Sequence, residues 1–509
     1  MITERQRIFS SIFEPRAIAF FGASHNVFKW GFNILHNIVN EGFKGKIYPI
    51  NPKGGSWYGM KIYEDLDLIK DTIDLAIIVV KKELVKDTLR KCAQRNIPAA
   101  IIITAGFSET GKEGALLEKE VLDLAHKHSM RIVGPNTMGI FSAWPTPLMA
   151  TMASGHKIPG EVAIIAQSGN LGSSISYRLT RRNIGISRLI SSGNEADLKT
   201  ADYLELLEHD PKTRIICLYV EGIREGRRFF ELAKRISPKK PMILIKGGRS
   251  DMGARAAMSH TGAMAGNNEV FNAMCRQTGI ITVDSMDDMV DVCGMLTSQP
   301  RPRGNRVGII TLGGGWGVIA TDACAANGLV LPRLKDSTIR MLDKVLPPYW
   351  SRANPVDLVA PNRITVITDA ISILIENEDI DAILALGLGY PTLRAMVWRS
   401  SPIIPREDSD APSRLMYEGE MQLMELLVGQ IKKLERPIIP VIDIMAFDRT
   451  ENHDLLNYLD SKGIMAYPSP EKAIYALAKV LEYTKNTKLF PASEEDQDTG
   501  SGLQVQEKT

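Results

Sequence analysis

Apolar residues fall along this chain in short continuous runs separated by stretches of helical length. Ala17–Phe21, Lys46–Ile50, Asp74–Val80, Ala99–Thr104 and Arg131–Val133 are five such runs, and a helix-periodic segment from Phe32 to Val39 follows the first. Strands that are apolar on both faces and alternate with helices predict a parallel sheet covered on both sides. Glu161–Ala166 opens a second series that includes Pro241–Ile245. Arg306–Thr311 opens a third, with later strands expected at Ala382–Leu386, Ile438–Ile442 and Ile464–Tyr467. Residues 141–160, with Pro145, Pro147 and Pro159, read as a loose connector, and Gln299–Gly304 reads as a linker. The Pro-, Ser- and Arg-rich stretch 391–414 predicts a long loop or flap, and 491–509, poor in large apolar residues, a disordered tail. The expected class is α/β in three units, 1–145, 146–299 and 303–488, followed by a disordered 489–509.

Composition narrows the class without changing it. The 509 residues exceed one core, and 44% apolar with 24% charged content is that of a globular protein. A formal net charge of +2 argues against nucleic acid or membrane as the main partner. Five scattered cysteines, odd in number and never in a CxxC spacing, fit reduced thiols rather than a disulfide framework or a zinc site. The N-terminus leads into no signal-peptide core and no run of 18 apolar residues occurs, so a cytoplasmic location is expected.

In a parallel sheet the ligand lies outside the carboxyl ends of the strands. In the first series those ends carry Gly22, Ala23 and Ser24, then Asn51 and Lys53, then Thr104, Ala105 and Gly106, and finally Asn136. Any one of these is equally a tight turn; together they favour a nucleotide-like ligand. In the second series Gln167, Ser168 and Gly169 make a small-residue turn into a helix, whose free N–H groups form an anion site. Gly313, Gly314 and Gly315 repeat that design in the third series. The edge that carries Gln167 also carries Glu221 and the loop that leaves Lys246-Gly-Gly for His260. Imidazole is a good nucleophile when neutral, and Ser259, Thr261 and Gly262 leave room for an incoming phosphoryl group. A carboxylate beside a histidine fixes its tautomer and supports the N–H of a phosphorylated ring. The plain alternatives are an ordinary loop histidine and a solvated surface acid. The other seven histidines read as surface or core fillers, and no metal ligand set is expected.

These motifs, in this order and over about residues 10–485, resemble those of the NDP-forming acyl-CoA synthetases, the group of succinyl-CoA synthetase. They are Gly22-Ala-Ser, Asn51-Pro-Lys, Gly106-Phe-Ser-Glu, Gly134-Pro-Asn, Gln167-Ser-Gly-Asn-Leu-Gly, Ser192-Gly-Asn and Ser259-His-Thr-Gly. Within that group the chain resembles the alpha subunits of the ADP-forming acetyl-CoA branch. Thr137 stands where the family usually has cysteine, and Trp316 where it has a small residue or proline. The resemblance implies a Rossmann-like CoA-binding domain followed by two flavodoxin-like, succinyl-CoA synthetase-like domains. It implies coenzyme A against Gly22–Ser24, Asn51, Lys53, Thr104–Gly106 and Asn136. Acyl phosphate would form at Gln167–Gly169 and at Gly314 and Gly315, with His260 taking the phosphoryl group beside Glu221.

The resemblance also implies a partner. No ATP-grasp region is found after the third series, so ADP or ATP and Mg2+ are expected on a separate ATP-grasp beta subunit, in an α2β2 assembly. The expected function is an acid–thiol ligase interconverting acyl-CoA, ADP and phosphate with carboxylic acid, CoA and ATP. Two alternatives stand beside it: a CoA-binding regulatory or scaffold protein without turnover, and the same chemistry on an aryl or branched-chain acid.

Overall fold

A computed structural model describes residues 3–153, 155, 158–253, 255, 268–359, 365–442 and 454–488. The expected apolar runs form three sheets. The first is parallel throughout, in the order Lys46–Ile50, Ala17–Phe21, Leu75–Ile78, Ala99–Ile102, Arg131–Val133. Ala19 stands opposite Tyr48 on one side and Ala76 on the other. The chain therefore leaves Ala17–Phe21 in both directions, which opens a crevice at the end of that strand. The second sheet repeats the arrangement around Pro159–Ala166, flanked by Ile186–Ser191 and Ile215–Val220, with Met242–Lys246 and Ile281–Thr282 beyond the latter. The third sheet is Val356–Asp357, Val307–Thr311, Ala382–Leu386, Ile438–Pro440.

Three expectations are corrected. The stretch 141–160 is not a loose connector. Gly139–Ser142 and Leu148–Thr151 make an antiparallel ribbon that joins the second sheet beside Ile186–Ser191. Pro145 and Pro147 lie in its turn, where no ladder N–H is needed, and Ile140, Phe141, Leu148 and Ala150 are buried around it. The stretch 391–414 is not a flap but most of a helical hairpin, Tyr390–Arg399 against Arg406–Lys433. Pro391 sits in the first turn, where a missing N–H costs nothing. The buried carboxylate of Glu420 accepts from the N–H groups of Gly389 and Thr392, closing that helix end. Ile464–Tyr467 makes one isolated bridge, Val441 to Tyr467, rather than a strand. One element had no expectation attached: Glu4–Phe13 is a helix, started by a capping box between Thr3 and Gln6 and buried through Ile8, Ile12 and Phe13. The expected disordered tail, 489–509, lies outside the described residues.

Two features bind the units. Arg188, wholly buried on the second sheet, bonds Asp210 at 3.1 Å, Glu14 at 3.2 Å, Ser142 and the Trp144 carbonyl. It thereby fastens the N-terminal helix and the ribbon to one strand. The C-terminal helix Pro470–Lys488 packs between the helices Met286–Ser298 and Gly314–Ala326, and its Tyr483 hydroxyl donates to the Ser237 carbonyl at 2.8 Å. Its apolar face merges the cores of the second and third sheets.

Candidate active site

The first crevice is a cleft of about 1060 Å³ whose wall includes Gly22, Ala23, Ser24, Asn51, Lys53, Thr104 and Ala105. Gly22 has φ +99°, and a side chain there would come within 2.2 Å of the Val79 carbonyl oxygen. Gly31, in the first turn of the helix Trp30–Asn40, lies so near that its own Cβ would come within 2.0 Å of the Gly22 oxygen. Two glycines thus let a helix start almost in contact with the turn. No side chain caps that helix start, and the Phe32 N–H donates to the Lys29 carbonyl at 3.0 Å. The first-turn N–H groups of Trp30 and Gly31 are the ones suited to an anion, with Lys29, Lys53 and Lys81 on the same wall. Asn51 fixes the turn: its amide nitrogen donates to the Ala23 carbonyl at 2.9 Å and its oxygen accepts from the Lys53 N–H at 3.0 Å. The Trp57 indole donates to the Ser24 carbonyl at 3.1 Å. The apolar floor and cationic rim suit a phosphorylated, partly apolar ligand such as CoA.

Two residues expected here lie elsewhere. The Gly106 N–H donates to the Glu109 carboxylate, which also accepts from Phe107 and from the Asn194 amide. Burial pushes the Glu109 carboxyl up, but these donors outweigh it and hold it below its ordinary range. Gly106-Phe-Ser-Glu is therefore a bracket joining the first two sheets. Asn136 sits past the end of Arg131–Val133 on the walls of two further cavities.

One of those cavities, about 190 Å³, lies at the crevice of the second sheet. Gln167, Ser168 and Gly169 line it, with Asn170, Asn194, Glu195 and Arg224. Ser168 caps the helix Gly169–Arg181 through the Leu171 N–H. The Gln167 oxygen accepts from the Glu221 and Gly222 N–H groups, and its nitrogen donates to the Gly222 carbonyl at 2.7 Å. A helix start, amides and a guanidinium around one small polar volume make a site for a tetrahedral anion. Glu195 accepts from Ser192 and Thr200 hydroxyls at 2.8 and 2.6 Å. Its deep burial pushes its carboxyl above the ordinary range. The remaining cavity, about 480 Å³, lies between these two: it shares Trp30 with the first, and Asn136, Met138 and Asn170 with the second.

Glu221 is buried at the end of Ile215–Val220, its carboxylate accepting from the Tyr219 hydroxyl at 3.3 Å. Burial and this carboxylate push Tyr219 up to about 12. The Lys246 ammonium donates to the Glu221 carbonyl at 2.8 Å, and burial lowers its pKa despite the carboxylate's opposing pull. A side chain at Gly247 would come within 3.2 Å of the Glu221 Cγ and 2.7 Å of the Tyr219 oxygen, so the loop toward His260 starts directly over Glu221. His260 lies outside the described residues. Gly314 and Gly315 open the helix Gly314–Ala326 but do not line the cavity of Gln167. A Cβ on Gly314 would lie 3.1 Å from an Asp357 carboxylate oxygen. Trp316 packs over Gly387, whose missing side chain makes room for the ring.

Sequence reasoning missed Arg224, Glu195, Met138, Asn33 and Asn37. Arg224 stands three residues beyond Glu221, and Glu195 just beyond Ser192-Gly-Asn, so both extend runs already singled out. Asn33 and Asn37 are two of the polar positions, with His36 and Asn40, in a mostly apolar helix. Among the described residues no helix is long and apolar enough to cross a membrane.

Three family models match: a CoA binding domain over residues 16–143, a succinyl-CoA ligase like flavodoxin domain over 159–296 and a Ligase-CoA domain over 307–398. The alpha subunit of ADP-forming acetate–CoA ligase II of Pyrococcus furiosus is 38% identical over 443 residues, 86% of this chain and 94% of the relative. The 4-hydroxybutyrate–CoA ligase (ADP-forming) of Nitrosopumilus maritimus is 34% identical over 95% of this chain and 65% of its own length. The dinucleotide forming acetyl-coenzyme A synthetase 1 of Ca. Korarchaeum cryptofilum, solved with phosphate and ADP, superposes with a TM-score of 0.80 at 33% identity. That match covers 94% of this chain and 97% of the other. With the CoA-type cleft and the anion site joined through a common cavity, these likenesses leave one assignment: the chain belongs to the family of ADP-forming acetate–CoA ligases, whose alpha subunits it matches nearly end to end.

Proposed function

We propose that this chain catalyses the acyl and first phosphoryl steps of an ADP-forming acyl-CoA ligase. Coenzyme A is held at Gly22–Ser24, Lys53 and Thr104–Ala105. Phosphate, held at Ser168–Gly169 and Arg224, attacks the thioester carbon; a C–O bond forms, the C–S bond breaks and the CoA thiolate leaves. His260 then attacks the phosphorus of the acyl phosphate, forming N–P and releasing the carboxylate. Glu221 holds the other ring nitrogen's proton and so stabilises phosphohistidine. Fixed N–H dipoles and proximity supply most of the rate. The loop carries the phosphoryl group to ADP and Mg2+ on an ATP-grasp beta subunit, in an α2β2 assembly in the cytoplasm. The three units expected at 1–145, 146–299 and 303–488 divide this work, the ribbon from Gly139 going with the second, and Gly314 and Gly315 lend a second helix start to the phosphoryl group.

One observation carries the reading: three cavities joined by shared walls, with the histidine loop leaving over Glu221 beside the last. The test is intact mass after acetyl-CoA and phosphate, with the partner subunit present. An acid-labile phosphoryl adduct that is absent in His260→Asn is expected. An adduct that persists in His260→Asn removes the histidine from the mechanism.

A further inference from the structure

Glu221 is held by side chains from the ends of three adjacent strands. Its N–H donates to the oxygen of Gln167, just past Pro159–Ala166, at 2.6 Å. Its carbonyl accepts from the ammonium of Lys246, the last residue of Met242–Lys246, at 2.8 Å. Its carboxylate accepts from the hydroxyl of Tyr219, two residues back on its own strand, at 3.3 Å. The first two bonds fix the main chain. The third reaches the group that would do the chemistry.

Alternate residues of a strand share a face. On Ile215–Val220 the face of Ile215 and Cys217 packs into the core shared with the third sheet, and Tyr219 comes next on it, half-buried against that core. Ala166 and Ile245 stand beside Tyr219 in register on the two neighbouring strands. Packing of that kind is served as well by phenylalanine, since a half-buried hydroxyl costs free energy unless it is paired. Here the hydroxyl meets a carboxylate, and with the phenol pushed up to about 12 it keeps its proton at neutral pH. The main chain at Gly247 lies against both groups, so close that a Cβ there would come within 2.7 Å of the Tyr219 oxygen and 3.2 Å of the Glu221 Cγ. Hydroxyl and carboxylate thus sit together under the root of the histidine loop.

We propose that Tyr219 is a positioning residue, whose hydroxyl fixes the rotation of the Glu221 carboxylate so that the carboxylate meets the ring N–H of the loop histidine in one orientation. The proposal rests on the acyl-CoA ligase reading given above, in which Glu221 holds the ring proton of His260. A carboxylate turns easily about its last bond. Once turned, it holds the imidazole less firmly in the tautomer that leaves the attacking nitrogen bare. No bond forms or breaks at Tyr219; it acts only through Glu221.

The test is Tyr219→Phe in the full chain with its partner subunit, made both alone and in a Glu221→Ala chain. Phosphoenzyme formation from acetyl-CoA and phosphate is timed by quenching, out to hours so that slow chains are timed too, and CoA affinity is read by calorimetric titration. Tyr219→Phe alone should phosphorylate about tenfold more slowly, the size of one hydrogen bond to a charged group, with CoA affinity within twofold of native. In the Glu221→Ala chain the same substitution should change the rate less than twofold, because no carboxylate is left to turn. A rate within twofold of native in Tyr219→Phe overturns the inference. So does a loss that recurs in full without Glu221, or one matched by an equal loss of CoA affinity, since either marks a general effect on the fold. If the native chain forms no acid-labile adduct, the ligase reading itself falls, and the inference with it.

Discussion

Gly31→Ala isolates the contact on which the proposed CoA cleft depends. The added methyl would sit 2.0 Å from the Gly22 carbonyl oxygen, where carbon–oxygen contacts normally run near 3.3 Å. The atom met is backbone, so the helix start must retreat from the turn by about 1 Å rather than a side chain stepping aside. Overpacking of this kind costs about 1–3 kcal/mol, offset by at most about 1 kcal/mol of helix propensity gained over glycine. The net loss of stability is therefore modest. The loss of affinity is larger. Donors moved by about 1 Å forfeit one or two charge-assisted bonds to a phosphate, about 1.5 kcal/mol each, so CoA should bind ten- to a hundredfold more weakly. Gly226→Ala is the matched control. Gly226 also stands in the first turn of a helix, and a Cβ there meets nothing within 4 Å. Calorimetric titration with CoA, paired with urea unfolding, reads both quantities. If Gly31→Ala binds CoA within threefold of the native chain, the close approach of helix and turn is not what makes the anion site.

Two further substitutions test buried charge. Burial raises the Glu195 carboxyl above its ordinary value, so the folded chain holds that proton more tightly than the unfolded one. Its contribution is full below the ordinary carboxyl range and is lost as pH rises through the raised value; Glu195→Gln should therefore gain in melting temperature over the native chain as pH rises, and a difference flat from pH 4.5 to 8 would refute this. Arg188→Met removes the only guanidinium bonded to Asp210 among the described residues and should cost about 3–5 kcal/mol by leaving that carboxylate buried; urea unfolding unchanged within 1 kcal/mol would show that Asp210 finds water or another donor.

How much was legible follows from which interactions are local. Continuous apolar runs such as Leu75–Ile78 and Ile215–Val220 are the imprint of a sheet buried on both faces, and they announce themselves in any short window. The turns at Gly22 and Gln167 were legible for the same reason: small residues after a strand and before a helix have one common use. Residues 391–414 misled because proline, serine and arginine are loop residues by composition. Pro391 instead opens a helix, and a carboxylate 29 residues on, Glu420, closes its end. The ribbon at Gly139–Thr151 was hidden because its strands are short and its partner, Ile186–Ser191, lies more than 30 residues away.

The sequence by itself determined the class and the strand ends that border the cavities, since each rests on neighbours a few residues apart; the histidine loop beside an anion turn is an expectation of the same local kind. Only the tertiary structure decided that the Gly106 motif is a bracket and that Asn136 belongs to the inner cavities. It also turned Asn33, Asn37 and Arg224 toward ligand volumes. Those placements depend on which sheet edge faces which, and that is fixed by long-range packing such as the Asn194 bonds to Glu109 and Glu118. No window of sequence contains both partners.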